Sequence, residues 1–279
     1  MNLKDKHKQL QKVLRDLGKV AVAYSGGVDS SFLLKAAVNT LGPENVLACI
    51  SLGPAEPATM RERAHEIAKT IGAELVVVEA GEMDDPDFTN NRADRCFHCK
   101  SRLCRTLLEV AKERGFPHVV FGTNYDDLDD FRPGNKAMKI FGIRSPLAEA
   151  GLTKNEIREL SRQAGLLTAD QPASPCLASR IPYGLEITEQ RLRQIDRAEG
   201  VLRSLGFVEC RVRHHDAIAR IEVGPQDVAR LVAEPIRSQV VEKLKALGFR
   251  YVTADLQGFR SGSLNESLSD EQKRTTLEV

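Results

Sequence analysis

No stretch of the chain approaches the roughly 18 to 20 consecutive apolar residues that a bilayer-spanning helix needs. Met1 to Lys19 alternates Lys, Asp, Gln and Leu where a signal peptide would place its apolar centre, so the sequence reads as soluble, unexported and cytoplasmic. An excess of charge of one sign is missing as well. Lys plus Arg number 40 against 39 Asp plus Glu, a formal net charge of +1, which argues against the uniformly basic surface of a nucleic-acid protein and leaves room only for a local basic cleft. There is no disulfide framework. The six cysteines (Cys49, Cys96, Cys99, Cys104, Cys176, Cys210) are unevenly spaced along 279 residues, which suits a reducing compartment where thiols do chemistry or bind metal. Repeats and low-complexity segments are also absent.

What is present, 42% hydrophobic and 28% charged residues, suffices for one full core and a smaller second unit. Val20–Tyr24 is a short apolar run, Gly26-Gly27 a turn, and Ser30 to Leu41 returns to helical spacing. Val46–Leu52, Glu74–Glu79 and His118–Gly122 read as further buried strands, separated by amphipathic helices at Ala58–Ile71 and Ser101–Arg114. Such alternation predicts an α/β fold, a doubly wound and mainly parallel sheet with helices on both faces. Leu152 to Ala164 reads as a helix capped by Thr153 with Glu156 three residues later. The character changes at Asp170-Gln-Pro-Ala-Ser-Pro175, where a functional loop and then a boundary are expected. From Thr188 a long helix, two strands, two helices and a strand near Tyr251–Ala254 suggest a small C-terminal α+β unit with a mainly antiparallel sheet. The expected organisation is therefore a first domain over 1–183, a small domain over 184–260 and a loose polar tail over 261–279.

Ser25-Gly-Gly-Val-Asp-Ser-Ser31 lies between a strand and a helix, so its backbone N–H groups and the positive helix end converge on one point, where an anion belongs. Gly26 and Gly27 let the main chain approach phosphate oxygens. The hydroxyls of Ser25, Ser30 and Ser31 add donors beside Val28, and Asp29 can hold the Mg2+ that accompanies a polyphosphate. A bare Gly-Gly turn could bind nothing; the flanking Ser, Asp and Ser-Ser favour function. The lysine of a Walker loop is absent, which disfavours γ-phosphate transfer. The segment resembles the PP-loop of ATP-pyrophosphatases, the superfamily of GMP synthetase, NAD synthetase and tRNA-thiolating enzymes. That resemblance implies an adenine nucleotide α-hydrolase-like fold, ATP cleaved between its α and β phosphates, and a substrate joined to AMP. Gly122, Thr123 and Asn124, at a later strand end, resemble the superfamily's second adenosine-contacting turn, and Lys154, after Ser145-Pro-Leu147, resembles its triphosphate-facing cation.

Cys96-Phe-His-Cys99 is expected on a turn before a helix, with both thiols able to reach one metal; half a zinc site, with His98 as a further ligand, is the alternative. The other loop thiol is Cys176, and three thiolates can hold a [4Fe-4S] cluster with one iron left open. Cys49, Cys104 and Cys210 read as buried small hydrophobes. Together with the phosphate loop, Arg95 to Lys100, Gly122 to Asp127, Arg132-Pro-Gly134, Ser145 to Arg162, Pro172 to Arg180 and Gly258 to Glu266 resemble the LarE family. These are ATP-dependent sulfur transferases of nickel-pincer cofactor biosynthesis, which serves lactate racemase. The resemblance covers nearly the whole chain.

The resemblance implies that both carboxylates of pyridinium-3,5-biscarboxylic acid mononucleotide are adenylated and converted to thiocarboxylates, with Cys176, or sulfide held beside it, displacing AMP. Single-cysteine members spend the matching cysteine; Cys96 and Cys99 place this chain among the three-cysteine members that carry a cluster. Arg180, beside Ser179, is expected to steady a substrate phosphate or carboxylate. Glu199, Arg211, Arg213 and Glu222 resemble the places where the family gathers substrate-phosphate and divalent-metal contacts, against the alternative of a solvated helix and strand face. Sulfide or a sulfur-donor protein, a nickel-inserting enzyme downstream and a homo-hexamer are implied as partners, with no membrane and no nucleic acid. Competing readings are a tRNA thiolase or amidotransferase-type synthetase, or a non-catalytic nucleotide sensor with Cys96 and Cys99 as a zinc or redox switch.

Overall fold

The computed structural model describes residues 1–128, 133–172, 175–260 and 262–278. Arg132, Ala173, Ser174 and Ser261, which the sequence motifs above include, lie outside the described residues. The strands are β1 (Val20–Ala23), β2 (Val46–Ser51), β3 (Glu74–Val78), β4 (His118–Phe121), β5 (Cys210–His215), β6 (Ile218–Val223) and β7 (Tyr251–Ala254). The first helices are α1 (Leu3–Leu17), α2 (Val28–Leu41), α3 (Ala58–Ile71), α4 (Pro86–Thr89), α5 (Arg95–Glu113) and α6 (Pro133–Ile140). They are followed by α7 (Pro146–Glu149), α8 (Lys154–Gln163), α9 (Glu189–Ser204), α10 (Val228–Val232), α11 (Ile236–Ala246) and α12 (Asp270–Glu278).

The chain divides into two compact units: Met1–Gly53, Thr59–Glu82 and Cys96–Ser174 form the first, and Pro54–Ala58, Met83–Arg95 and Pro175–Val279 the second. In the first unit the sheet order is β3-β2-β1-β4, and every ladder is parallel. Side chains alternate across it. Val20 and Val22 of β1 enter one core with Leu14 of α1, Phe32 and Leu33 of α2 and Ile67 of α3, whereas Ala21 enters a second core with Leu107 and Ala111 of α5. Helices therefore cover both faces, as the apolar strand runs imply. Because β1 lies between β2 and β4, the strand order reverses there, and the crevice at its carboxyl end is where an open α/β sheet takes its ligand.

The fold departs from the sequence expectations at three places in this unit and the tail. β3 is not buried: it is the outer strand, and Val77 remains 45% exposed. The helix after the cysteine pair starts at Arg95, not at Ser101, so Cys96 and Cys99 lie on its first turn instead of on a turn before it. The tail is not loose throughout. Ser269 and Gln272 cap each other's backbone N–H groups (3.1 and 2.9 Å), a reciprocal box that starts α12. Helix α1, unassigned from the sequence, is started in a similar way by Asn2, which accepts the Asp5 N–H at 2.9 Å, and buries Leu10, Val13, Leu14 and Leu17 on one face.

In the second unit β5 and β6 form an antiparallel hairpin, and β7 adds to β6 in parallel. The sheet is thus mixed, not mainly antiparallel. A strand that returns through helices, here α10 and α11, runs alongside its predecessor in the same direction. Ala198 and Leu202 of α9, Val212, Ile221, Leu244 and Phe249 form the core of this unit.

Candidate active site

In the first unit, β1 ends at Ala23 and the backbone turns at Gly26, whose φ of +69° lies in the left-handed region that favours glycine. Gly27 is the N-cap of α2 and offers no side chain, so no cap bond covers the first N–H groups of that helix. They are presented at the carboxyl edge of the sheet. Ser30 braces the loop: its Oγ accepts from the Ser25 N–H (3.1 Å), donates to the Gly27 carbonyl (3.2 Å) and lies 3.0 Å from Ser25 Oγ. Val28 and Ser31 are both buried under the loop.

Gly122 follows β4 and packs directly on this loop. A Cβ there would fall 2.9 Å from Ser30 N and 3.1 Å from the Asp29 carbonyl carbon, closer than a side chain tolerates. Beyond it, Thr123 Oγ1 contacts Met138 Sδ at 3.8 Å, while buried Asn124 and Asp127 exchange two backbone-to-side-chain bonds of 3.2 Å each. Lys154 arrives from the first residue of α8, where the Thr153/Glu156 capping box is present as read from the sequence. Its N–H donates to Asp126 Oδ2 (2.8 Å), and its ammonium lies 2.6 Å from Asp29 Oδ2. The other oxygen, Asp29 Oδ1, is buried and has no hydrogen-bond partner. A hard oxygen left unpaired beside amide donors that no side chain caps fits a divalent cation carried in by a polyphosphate. Asp126 and Asp127, which fix the second turn and Lys154, stand in the sequence only as part of the Gly122 to Asp127 motif, with no role of their own.

The six cysteines are all thiols and fall into two groups. Cys49, Cys104 and Cys210 are buried, and burial pushes Cys49 up to about 12 and Cys210 to about 11. These remain protonated and serve packing. Cys96 is exposed and Cys99 partly exposed, three residues apart on the first turn of α5 and hence on one helix face. In the second unit Cys176, also partly exposed, precedes the short turn Leu177–Arg180. The accessible thiols are thus the three named from the sequence, two in the first unit and one in the second. Among the described residues no group of three or more His, Cys, Asp or Glu is gathered around one point.

The turn after Cys176 rests on a buried ionic network within the second unit. Arg180 is 1% exposed and forms a fork with Glu199, Nε to Oε1 at 2.8 Å and Nη2 to Oε2 at 3.1 Å. Its Nη1 donates to the carbonyls of Pro175 (2.8 Å) and Cys176 (3.2 Å) and to Ser179 Oγ (2.9 Å). Arg213 forms a second fork with Glu222 (2.9 and 2.7 Å) and donates to the Ser179 carbonyl (2.8 Å) and Ser263 Oγ (2.9 Å). Arg220 also reaches Glu222, at 2.9 Å. Arg211 stacks over Phe259 at 5.0 Å, and burial, aided by Arg180, pulls its guanidinium down to about 10. Glu199, Arg211, Arg213 and Glu222 therefore do not form a solvated face; all are buried. The terminal Gly-Ser-Leu-Asn-Glu segment supplies Ser263 to Arg213 and Asn265 to the Tyr183 hydroxyl (3.0 Å).

A parallel sheet with a lysine-free, glycine-bearing phosphate loop after β1, closed by a glycine turn after β4, defines the PP-loop ATP-pyrophosphatase superfamily. In keeping with this, the chain is 27% identical to a subunit of the glutamine-hydrolyzing GMP synthase of Archaeoglobus fulgidus, over 70% of this chain and 67% of that one. No family model matches. It is 41% identical to an uncharacterized protein of Synechocystis, over 96% of this chain and 99% of that one. With the pyridinium-3,5-bisthiocarboxylic acid mononucleotide synthase of Lactiplantibacillus plantarum it shares 37% identity over 98% of each chain. The chain belongs to the family of that synthase, the LarE family of ATP-dependent sulfur transferases.

Proposed function

We propose that this enzyme converts pyridinium-3,5-biscarboxylic acid mononucleotide to its bisthiocarboxylic acid, the product for which the Lactiplantibacillus relative is named. The observation that carries the reading is the unpaired Asp29 oxygen at the phosphate loop, next to the Lys154 ammonium. In this reading Ser25 to Ser31 binds the β and γ phosphates of ATP, Asp29 holds Mg2+ and Lys154 moves onto the polyphosphate. Gly122, Thr123 and Asn124 border the adenosine.

A substrate carboxylate resists nucleophiles because the anion repels them and oxide leaves poorly. Its oxygen attacks the α-phosphorus, the bond to the bridging oxygen breaks, and pyrophosphate departs on the loop. The resulting acyl-adenylate is neutral at carbon and carries AMP as a leaving group. A sulfur nucleophile then adds to the acyl carbon, and AMP leaves with the electrons of the C–O bond. Cys96, Cys99 and Cys176 would be the thiolates that hold a [4Fe-4S] cluster, which when bound would supply the means of presenting sulfide as the nucleophile. Sulfide or a donor protein would provide the sulfur, a nickel-inserting enzyme would take the product, and Arg211 and Arg213 of the second unit would face the nucleotide phosphate.

Asp29→Ala tests the phosphate-loop assignment: pyrophosphate release in the presence of the dicarboxylate should vanish while the thermal midpoint stays near that of the wild type, since no core cavity opens. Normal release would sink the reading. The sulfur route is read at Cys176 by mass spectrometry. Enzyme reconstituted with iron and excess sulfide should make more than one thiocarboxylate per chain, with Cys176 intact. One equivalent per chain, with Cys176 converted to dehydroalanine, would replace the cluster by a sacrificial cysteine.

A further inference from the structure

Arg180 and Glu199 stand beside Cys176 in the sequence reading as substrate or metal contacts, yet their functional atoms are directed at the protein. Both side chains are 1% exposed. Glu199 is occupied by the Arg180 fork, by the Val212 N–H on β5 (3.2 Å) and by Arg203 at 3.6 Å. The remaining Arg180 nitrogen, Nη1, is spent on the carbonyls of Pro175 and Cys176 and on Ser179 Oγ. Those carbonyls flank the bond that sets the direction of the Cys176 side chain. The same turn is held twice more: the Leu177 N–H, in the peptide group whose carbonyl Arg180 binds, donates to the Ala55 carbonyl at 2.7 Å, and Arg213 Nη1 holds the Ser179 carbonyl.

We infer that Arg180 is a positioning residue, a rigid bracket between α9 and the Cys176 backbone that fixes the sulfur in space. A bidentate guanidinium pair suits this because its planar fork sets orientation as well as distance. Since Glu199 neutralises the guanidinium at contact distance, the bracket acts on geometry and supplies no net charge to the thiol. Delivery of sulfur to an acyl carbon is sensitive to such placement: an error of about 1 Å costs on the order of 100-fold in rate.

The inference rests on the reading of Cys176 as the sulfur-handling residue, and the test separates the two. Arg180→Met combined with Glu199→Gln removes both charges together, so no buried ion is left alone, and the Gln oxygen still accepts the Val212 N–H. Three quantities are measured on the full-length protein: pyrophosphate release with the dicarboxylate, thiocarboxylate formation over a range of substrate concentrations up to saturation, and iodoacetamide labelling of Cys176 resolved by peptide mass, with Cys96 as the internal reference. The double variant should release pyrophosphate within about twofold of wild type, lose about 100-fold in thiocarboxylate formation with KM unchanged, and label at Cys176 several times faster relative to Cys96. Arg180→Lys, which keeps one donor, should recover part of the rate. Wild-type thiocarboxylate formation by the double variant, or a parallel loss of pyrophosphate release, overturns the positioning role. If Cys176→Ala still forms thiocarboxylate at the wild-type rate, the reading of Cys176 fails instead, whatever Arg180 does.

Discussion

Residues of one chemical type take opposite parts in this molecule according to what surrounds them. Cys49 and Cys210 are held protonated by burial, while Cys96, Cys99 and Cys176 keep contact with solvent; spacing and setting in the sequence divide the two sets, and burial in the fold draws the same division. Histidine gives a pH test at this scale. His214 is 3% exposed, its Nε2 lies 2.9 Å from Gln194 Oε1, and its Nδ1 is buried without a partner. Burial pulls its pKa below the ordinary 6.5, Arg191 pushes the same way, and Asp216 opposes; burial and the neighbouring Arg220 and Arg213 also lower His215. The fold therefore prefers neutral imidazoles. A folded pKa below the unfolded one gives stability that is present above about pH 6.5 and drains as pH falls through the folded value. The thermal midpoint should drop between about pH 7 and pH 5, and His214→Gln, whose amide can still reach Gln194, should show a shallower drop. An unchanged slope would remove His214 from the account.

Elements carry the phosphate site because two of them meet at one glycine. The first turn of α2 lies against Gly122, after β4, so both strand ends flanking the switch point share a contact with no room for a methyl group. Gly122→Ala should destabilise the protein by about 1 to 3 kcal/mol through overpacking, and should weaken binding of a non-hydrolysable ATP analogue as the α2 turn shifts. Urea unfolding and calorimetric titration would check the pair of effects; unaltered affinity would show that the turn is not coupled to the loop. Helix starts are partly legible. The Thr153-x-x-Glu156 box announces α8, whereas Asn2 before α1 and Ser269-x-x-Gln272 before α12 carry the same kind of signal but are hard to tell from their polar neighbours. The Cys96-x-x-Cys99 segment offers no start signal that would place it inside α5 instead of before it.

At the scale of the whole molecule, the chain's last segment belongs to the second unit's chemistry. The Phe259 N–H donates to the Val223 carbonyl (2.8 Å) and its ring lies under Arg211, Ser263 caps Arg213, and Asn265 holds the Tyr183 hydroxyl. Deleting residues 259–279 should lower unfolding stability by a few kcal/mol, with Ser263→Ala alone costing about 1 kcal/mol. An equal urea midpoint for the truncated protein would show those contacts to be incidental. The sequence by itself determined the α/β class, the strand-turn-helix setting of Ser25 to Ser31 and the family, because apolar runs, glycines and cap residues act over a few neighbours and leave local marks. It did not reveal that Asp29 pairs with Lys154, 125 positions away, or that Arg180 faces Glu199 instead of open solvent. Charged residues look alike in a sequence whether they meet water or each other. Only the folded chain decides which carboxylate stands opposite which cation, because that depends on how distant segments are packed, and no local pattern encodes it.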